Sequence, residues 1–326
     1  MRKWLLPEAV EDVLPDEALR LETLRRTLLD LFAARGYRLV QPPLIEHLDS
    51  LLTGSGRDLE LQTFKVVDAA SGRLVGVRAD MTPQVARIDA HVLNESGVTR
   101  LCYAGSVLRT VPSFPGESRE VFQVGAELFG EPRIDGDREV VALLLSSLAR
   151  VGVQGLHLDL GHVGVYRALV NGAGVASNGE DSELFGALAA KDVPAVREQV
   201  ARLPGAWRDA LSALPTLYGP AQEVLARARA ELPDTPAIAN SLAALAALAD
   251  ASAASVEALH IDLADLRGYH YHNGAIFSVF TAGVATAIGN GGRYDGIGKA
   301  FGRARPATGF TLDLRQLAGV IGQAPA

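Results

Sequence analysis

Only one cysteine, Cys102, occurs among 326 residues, so no disulfide can form within the chain. The opening residues MRKWLLPEAVEDV lack the long apolar run and small-residue cleavage site of a secretory leader, and a cytoplasmic protein is expected. Membrane-length apolar runs are missing too. Even LAALAALADASAAS is alanine-diluted and carries Asp250, short of the roughly 18 to 20 apolar residues that a span requires. There is no basic excess either: 31 Lys and Arg stand against 38 Asp and Glu, a net charge of −7. Nucleic-acid affinity comes largely from clustered cations on phosphates, so a polyanion partner is disfavoured, with room left only for a local basic groove. A metal-ligand cluster is also lacking. His157 and His162 flank Asp159, but no further ligand group accompanies them, so they are read as structural and neither metal nor cofactor is expected. No internal repeat or low-complexity tail is seen.

What remains is soluble globular text, 48% apolar and 21% charged, enough for one or two domains plus an insertion. Residues 16 to 35 place Leu19, Leu24, Leu28, Leu31 and Phe32 at helical spacing, and Gly36 stops the helix. YRLVQPPLIEHLDSLL reads as a short strand broken at Pro42-Pro43 and then helix. Residues 62 to 78 alternate about an Ala-Ser-Gly turn as a hairpin. Thr82 is the N-cap candidate of a helix with Pro83 in its first turn. RLCYAGSVLR (100–109) and REVFQVGAELFG (119–130) read as an antiparallel pair joined by the Pro-rich TVPSFPGES. The helix DREVVALLLSSLARVG and the strand GLHLDLGHV follow. Alanine-rich helical text then runs over 167–255, read as an insertion, before strands resume. Antiparallel strands with helices outside them indicate an α+β fold and not a βαβ nucleotide fold.

Three places carry polar groups in unusual density. Arg78-Ala-Asp80-Met-Thr82-Pro83 sets a carboxylate and a hydroxyl at a helix opening, which suits either a cap or a polar ligand. Gln123 and Glu127 lie four apart on one strand face, turned either to water or to a ligand. Leu266-Arg-Gly-Tyr-His-Tyr-His-Asn-Gly-Ala-Ile-Phe-Ser-Val-Phe280 with Asn290-Gly-Gly-Arg-Tyr-Asp-Gly296 reads as a strand pair lining a polar pocket. Its glycines permit close approach of backbone or ligand, although a glycine-bearing β-corner with packed aromatics would use the same residues.

In this order, the segments resemble the catalytic core of class II histidyl-tRNA synthetases and, more closely, their non-synthetase paralogues, the regulatory subunits of ATP phosphoribosyltransferase. GYRLVQPPLIE is similar to motif 1, with Pro43 at the family's dimer-interface proline. VLRTVPSFPGESREVFQVGAE resembles motif 2, LRGYHYHNGAIF and GGRYDG the two histidine-specific elements, and GFTLDLRQL motif 3. RADMTPQVAR is particularly like the regulatory-subunit version. The resemblance implies a class II synthetase-like antiparallel sheet flanked by helices over 1–326, interrupted by the insertion at 167–255. It also implies that no C-terminal anticodon-binding domain follows motif 3. As histidine contacts it implies Asp80, Thr82, Arg109, Gln123, Glu127, Arg267, Tyr271, His272 and Tyr294. Asp80 stands for a usual glutamate and His272 for a usual tyrosine, and both can still form hydrogen bonds.

On the ATP side the correspondence breaks. The adenine-reading glutamate falls on Val111, the loop arginine on Glu117, the stacking aromatic on Val121 and the motif 3 arginine on Gln316. A hydrogen bond to a charged group is worth about 1.5–3 kcal/mol, so losing two arginines and two adenine contacts removes on the order of 6–10 kcal/mol. That is enough to abolish adenylation. The expectation is therefore a non-catalytic subunit with no cofactor, paired with a short-form ATP phosphoribosyltransferase catalytic subunit, with L-histidine as effector and a homodimer through motif 1. An active histidyl-tRNA synthetase fragment and a stand-alone histidine-binding module are the alternatives.

Overall fold

Helix Pro15–Ala34 begins with proline at its start and Asp16 and Glu17 in its first turn, where acids oppose the helix dipole favourably. It stops before Gly36, whose φ of 81° suits a residue without Cβ. Its buried face is Leu21, Leu24, Leu28 and Phe32. Leu19 is 70% exposed and Leu31 is only half-buried, so Leu24, Leu28 and Phe32 of the face first assigned hold, with Leu21 as the further buried member. Phe32 meets Phe310 edge-on at 5.8 Å.

The computed structural model describes residues 5–54, 57–112, 117–175, 182–269 and 271–322. Ser113–Gly116 of the motif 2 loop, His270, and residues 176–181 of the helical stretch lie outside these ranges. The described strands are β1 (Arg38–Leu39), β2 (Ile45–His47), β3 (Phe64–Val67), β4 (Leu74–Val77), β5 (Thr99–Leu108), β6 (Glu120–Phe129), β7 (His157–His162), β8 (Tyr218–Pro220), β9 (Ala258–Asp262), β10 (Ala275–Phe280), β11 (Gly289–Arg293) and β12 (Ala307–Asp313).

Two units divide the chain: Met1–Glu131 with Ser146–Val153 and Gly296–Ala326, and Pro132–Leu145 with Gln154–Asp295. In the first, β5 and β6 pair antiparallel over ten positions, β12 pairs antiparallel with β6, and β1 lies parallel to β5. A separate sheet has the order β2-β4-β3, its β3–β4 hairpin being the one expected over 62–78. The β2 strand intervenes where sequence alone took the chain from Pro43 into helix. In the second unit β10 pairs antiparallel with β11 and β7, β7 lies parallel to β9, and β8 pairs antiparallel with β9. The expectation of purely antiparallel strands is thus corrected at two places, β1–β5 and β7–β9, where long connections precede the second partner and so permit parallel pairing.

The alanine-rich stretch forms helices Val163–Gly172, Glu183–Ala189, Val193–Val200, Gly205–Ala213, Ala221–Glu231 and Pro236–Ser252, but it also supplies β8. Pro236–Ser255 is 20 residues long with mean hydropathy 1.4, long and apolar enough by composition to cross a membrane, contrary to the reading of its sequence. It packs on Val163–Gly172, Ala221–Glu231 and β7, burying Ile238, Leu242, Leu245 and Leu248. Those contacts are what a core helix makes. Truncating one such leucine to alanine costs about 2–5 kcal/mol.

Candidate functional site

The first unit's candidates assemble around the β5–β6 pair. Gln123 and Glu127 are 3% and 1% exposed, so neither faces water, and both lie on the face that Tyr103 also occupies. The Gln123 side chain accepts from Met81 N at 2.9 Å and donates through Nε2 to Asp80 Oδ1 at 2.8 Å. Asp80 Oδ1 also accepts from Thr82 N at 3.1 Å and lies 3.2 Å from Thr82 Oγ1. Thr82 is therefore not the N-cap of helix Thr82–Arg87: Met81 holds that place without a side-chain cap, and Asp80 precedes it. The Asp80 carboxylate takes the amide that opens the helix, and Thr82 is the helix's first residue. Thr82 Oγ1 continues to the Tyr103 hydroxyl at 3.1 Å, which donates to Glu127 Oε1 at 2.9 Å. Four predicted residues are thereby joined in one hydrogen-bonded cluster.

Tyr103 is the member that sequence reasoning missed. Its signal was a hydroxyl-bearing aromatic opposite a glycine, legible only once the register Tyr103↔Gly125 is known. A Cβ on Gly125 would lie 2.5 Å from the Tyr103 hydroxyl and 2.6 Å from Phe310 O, so the ring crosses β6 where β6 has no side chain. Gly309, opposite Glu127 on β12, likewise leaves the space that the Glu127 carboxylate fills. Burial, with Glu127 and Asp80 beside it, holds the Tyr103 hydroxyl well above its ordinary titration range, and it remains a donor.

The Arg109 guanidinium lies 3.7 Å from the Glu117 carboxylate. Glu117 is the residue that the motif resemblance sets against the family's phosphate-binding arginine, and here its charge faces Arg109. Val111, at the adenine-reading position, is 59% exposed, and Val121 is buried. Asp313, in the altered motif 3, accepts from Arg315 N at 2.9 Å, and burial pushes its carboxyl up to about 6. Arg78 belongs to the scaffold, donating to Ser106 O at 2.8 Å and Pro42 O at 2.7 Å.

The second unit's candidates cluster separately. Leu266–Tyr269, Tyr271 and His272, read from sequence as strand, lie in turn and loop, while β10 and β11 form the expected pair. Arg167 staples the turn, donating to Tyr269 O at 2.6 Å and His272 O at 2.8 Å. Tyr271 stacks on Tyr294 with ring centroids 4.9 Å apart and meets His272 edge-on at 5.1 Å. The His272 ring lies on Gly292, where a Cβ would come within 2.7 Å of it, and burial lowers its pKa to about 4. It is a neutral imidazole at pH 7. Arg267 is exposed and clamped by Asp265, which accepts from its Nε at 2.9 and 3.1 Å and from Nη2. Arg293, part of the polar constellation in the sequence, is structural: buried, it grips Asp137 at 2.9 Å and donates to Arg133 O at 3.2 Å. His162 accepts from Gly164 N at 3.1 Å as a helix cap, with burial lowering its pKa to about 4. Among the described residues no group of three or more His, Cys, Asp or Glu could hold a metal ion.

The family model for histidyl-tRNA synthetase matches residues 9–317. The crystal structure of an ATP phosphoribosyltransferase regulatory subunit/histidyl-tRNA synthetase from Bacillus halodurans C resembles this chain with TM-score 0.85 at 26% identity, covering 98% of this chain and 83% of that one. The fold is thus that of the class II histidyl-tRNA synthetases, an α+β architecture as expected. The ATP phosphoribosyltransferase regulatory subunit of Ralstonia nicotianae is 57% identical over 320 residues, covering 98% of this chain and 82% of that protein. That of Thiobacillus denitrificans is 58% identical over 317 residues, covering 97% and 98%. The chain belongs to the family of ATP phosphoribosyltransferase regulatory subunits, the non-synthetase paralogues that its motifs resemble.

Proposed function

We propose that this chain is the histidine-sensing subunit required by a short-form ATP phosphoribosyltransferase catalytic subunit, acting in the cytoplasm at the first step of histidine biosynthesis and carrying feedback inhibition. The observation that carries the reading is the Arg109–Glu117 pair at 3.7 Å, taken together with a hydrogen-bonded Asp80–Thr82–Gln123–Glu127 cluster. By the motif resemblance, the charge that a synthetase uses on phosphate is reversed here and faces Arg109, while the amino-acid residues keep their order. Asp80 or Glu127 takes the α-ammonium of histidine and Arg109 or Arg267 its carboxylate. The resemblance assigns imidazole contacts to Gln123 and Glu127 in the first unit and to Tyr271, His272 and Tyr294 in the second. Arg267 must exchange Asp265 for the ligand, a substitution of one carboxylate for another that costs little at an exposed site.

The chain acts as a class II core carrying a helical insertion at 167–255, as a homodimer through the motif 1 region around Pro43. Inhibition requires only that histidine bind one state of the assembly more tightly than the other. Histidine-dependent ATP–pyrophosphate exchange tests the loss of synthetase chemistry. The expected result is no exchange by the pure protein, and robust exchange overturns the reading.

A further inference from the structure

We propose that Tyr103 is a positioning residue that couples Asp80 to Glu127, through a Thr82 hydroxyl hydrogen whose direction the bound ligand selects. The inference rests on the reading of this cluster as a histidine site and adds a linkage between its two carboxylates.

The argument is a count of hydrogens. The Tyr103 hydroxyl spends its one hydrogen on Glu127 Oε1 at 2.9 Å. The Tyr103 oxygen keeps acceptor capacity, and its other neighbour is Thr82 Oγ1 at 3.1 Å. Thr82 also has one hydrogen, and it faces a second acceptor, Asp80 Oδ1, at 3.2 Å. Two acceptors at nearly equal distance compete for that hydrogen. Asp80 Oδ1 already accepts from Thr82 N at 3.1 Å and from Gln123 Nε2 at 2.8 Å, so it has the weaker need. A cation arriving at Asp80 weakens that need further and turns the Thr82 hydrogen to Tyr103. A phenol that accepts a hydrogen bond donates a stronger one, so Glu127 is held more firmly. A donor arriving at Glu127 sends the effect the other way. Tyr103 is 0% exposed and Glu127 1%, so water does not short-circuit the chain. Gly125 gives the Tyr103 ring its place, and the chain depends on that glycine.

The test is calorimetric titration with L-histidine and with 3-(imidazol-4-yl)propionate, which lacks the α-amino group. The ratio of their affinities reads the ammonium contribution. Tyr103→Phe keeps the ring and should change this ratio by about threefold or more, the size of a modest hydrogen-bond coupling. Thr82→Val should change it to the same extent, the double variant no further, and Thr82→Ser, which keeps the hydroxyl, should retain it. If Tyr103→Phe and Thr82→Val weaken both ligands equally, Tyr103 only packs, and the coupling is overturned. Should Tyr103→Phe fail to fold by circular dichroism, the Thr82→Val and Thr82→Ser pair makes the same comparison. Absence of binding of either ligand to the wild-type protein overturns the histidine reading itself, and the coupling with it.

Discussion

Placing a single methyl group on Gly309 should cripple histidine binding by displacing Glu127, without replacing any residue assigned to the ligand. Gly309 lies opposite Glu127 in the β6–β12 register, and a Cβ there would overlap the Glu127 carboxylate and come 2.8 Å from Ala126 O. Backbone on one side and a carboxylate on the other leave the side chain as the part that yields. Once displaced, Glu127 loses its bond from Tyr103 at 2.9 Å. A hydrogen bond to a charged group is worth about 1.5–3 kcal/mol, so Gly309→Ala should weaken histidine by about 10- to 150-fold. The assay is calorimetric titration, with far-ultraviolet circular dichroism to check the fold. Gly319→Ala is the control, since a Cβ there meets nothing within 4 Å. Wild-type affinity in Gly309→Ala would refute the claim that this carboxylate is held for the ligand.

Asp137→Ala should lower the unfolding free energy by about 1.5–3 kcal/mol in urea denaturation, because it removes a buried carboxylate from the Arg293 guanidinium, which keeps Asp295 at 3.2 Å. Arg267→Ala should greatly weaken histidine binding while leaving the circular dichroism spectrum unchanged, and Asp265→Asn, which frees Arg267, should tighten binding by a few-fold at most. His162 and His272 have folded pKa values lowered from 6.5 to about 4, so the unfolded chain binds more protons between those values. Stability is then full above pH 6.5 and falls as pH drops toward 4, and His162→Asn should flatten part of that slope in thermal unfolding scans. Asp313 shifts the opposite way, from 3.8 to about 6, so its ionisation opposes folding as pH rises through that window. Asp313→Asn should raise the melting temperature at pH 7.5 and lose that gain near pH 4.

Sequence reasoning reached the β5–β6 pair, the 62–78 hairpin and the closing strand and helix because each has unambiguous apolar alternation or punctuation. In the first helix it took Leu19 and Leu31 where Leu21 packs. With leucine at so many positions, spacing alone does not single out one face. The stretch holding Leu266–Tyr269, Tyr271 and His272 was read as strand because aromatic and β-branched text follows it. What makes it a turn is Arg167, about a hundred residues earlier in sequence, holding Tyr269 O and His272 O. Arg293 fell within the stretch read as lining a polar pocket, because a buried arginine and a pocket arginine look alike until Asp137 is seen. Tyr103, Asp265 and the Glu117 pairing were illegible for the same reason, since their partners are fixed by register and turn geometry and not by motif.

The central claim is tested most directly by the phosphoribosyltransferase rate of a short-form catalytic subunit, measured with and without this chain and then with added histidine. The account predicts that the two form a complex, that the chain raises the rate severalfold, and that histidine abolishes the gain in the wild type but not in Gly309→Ala at the same concentration. A rate indifferent to the chain, or a gain indifferent to histidine, would contradict it.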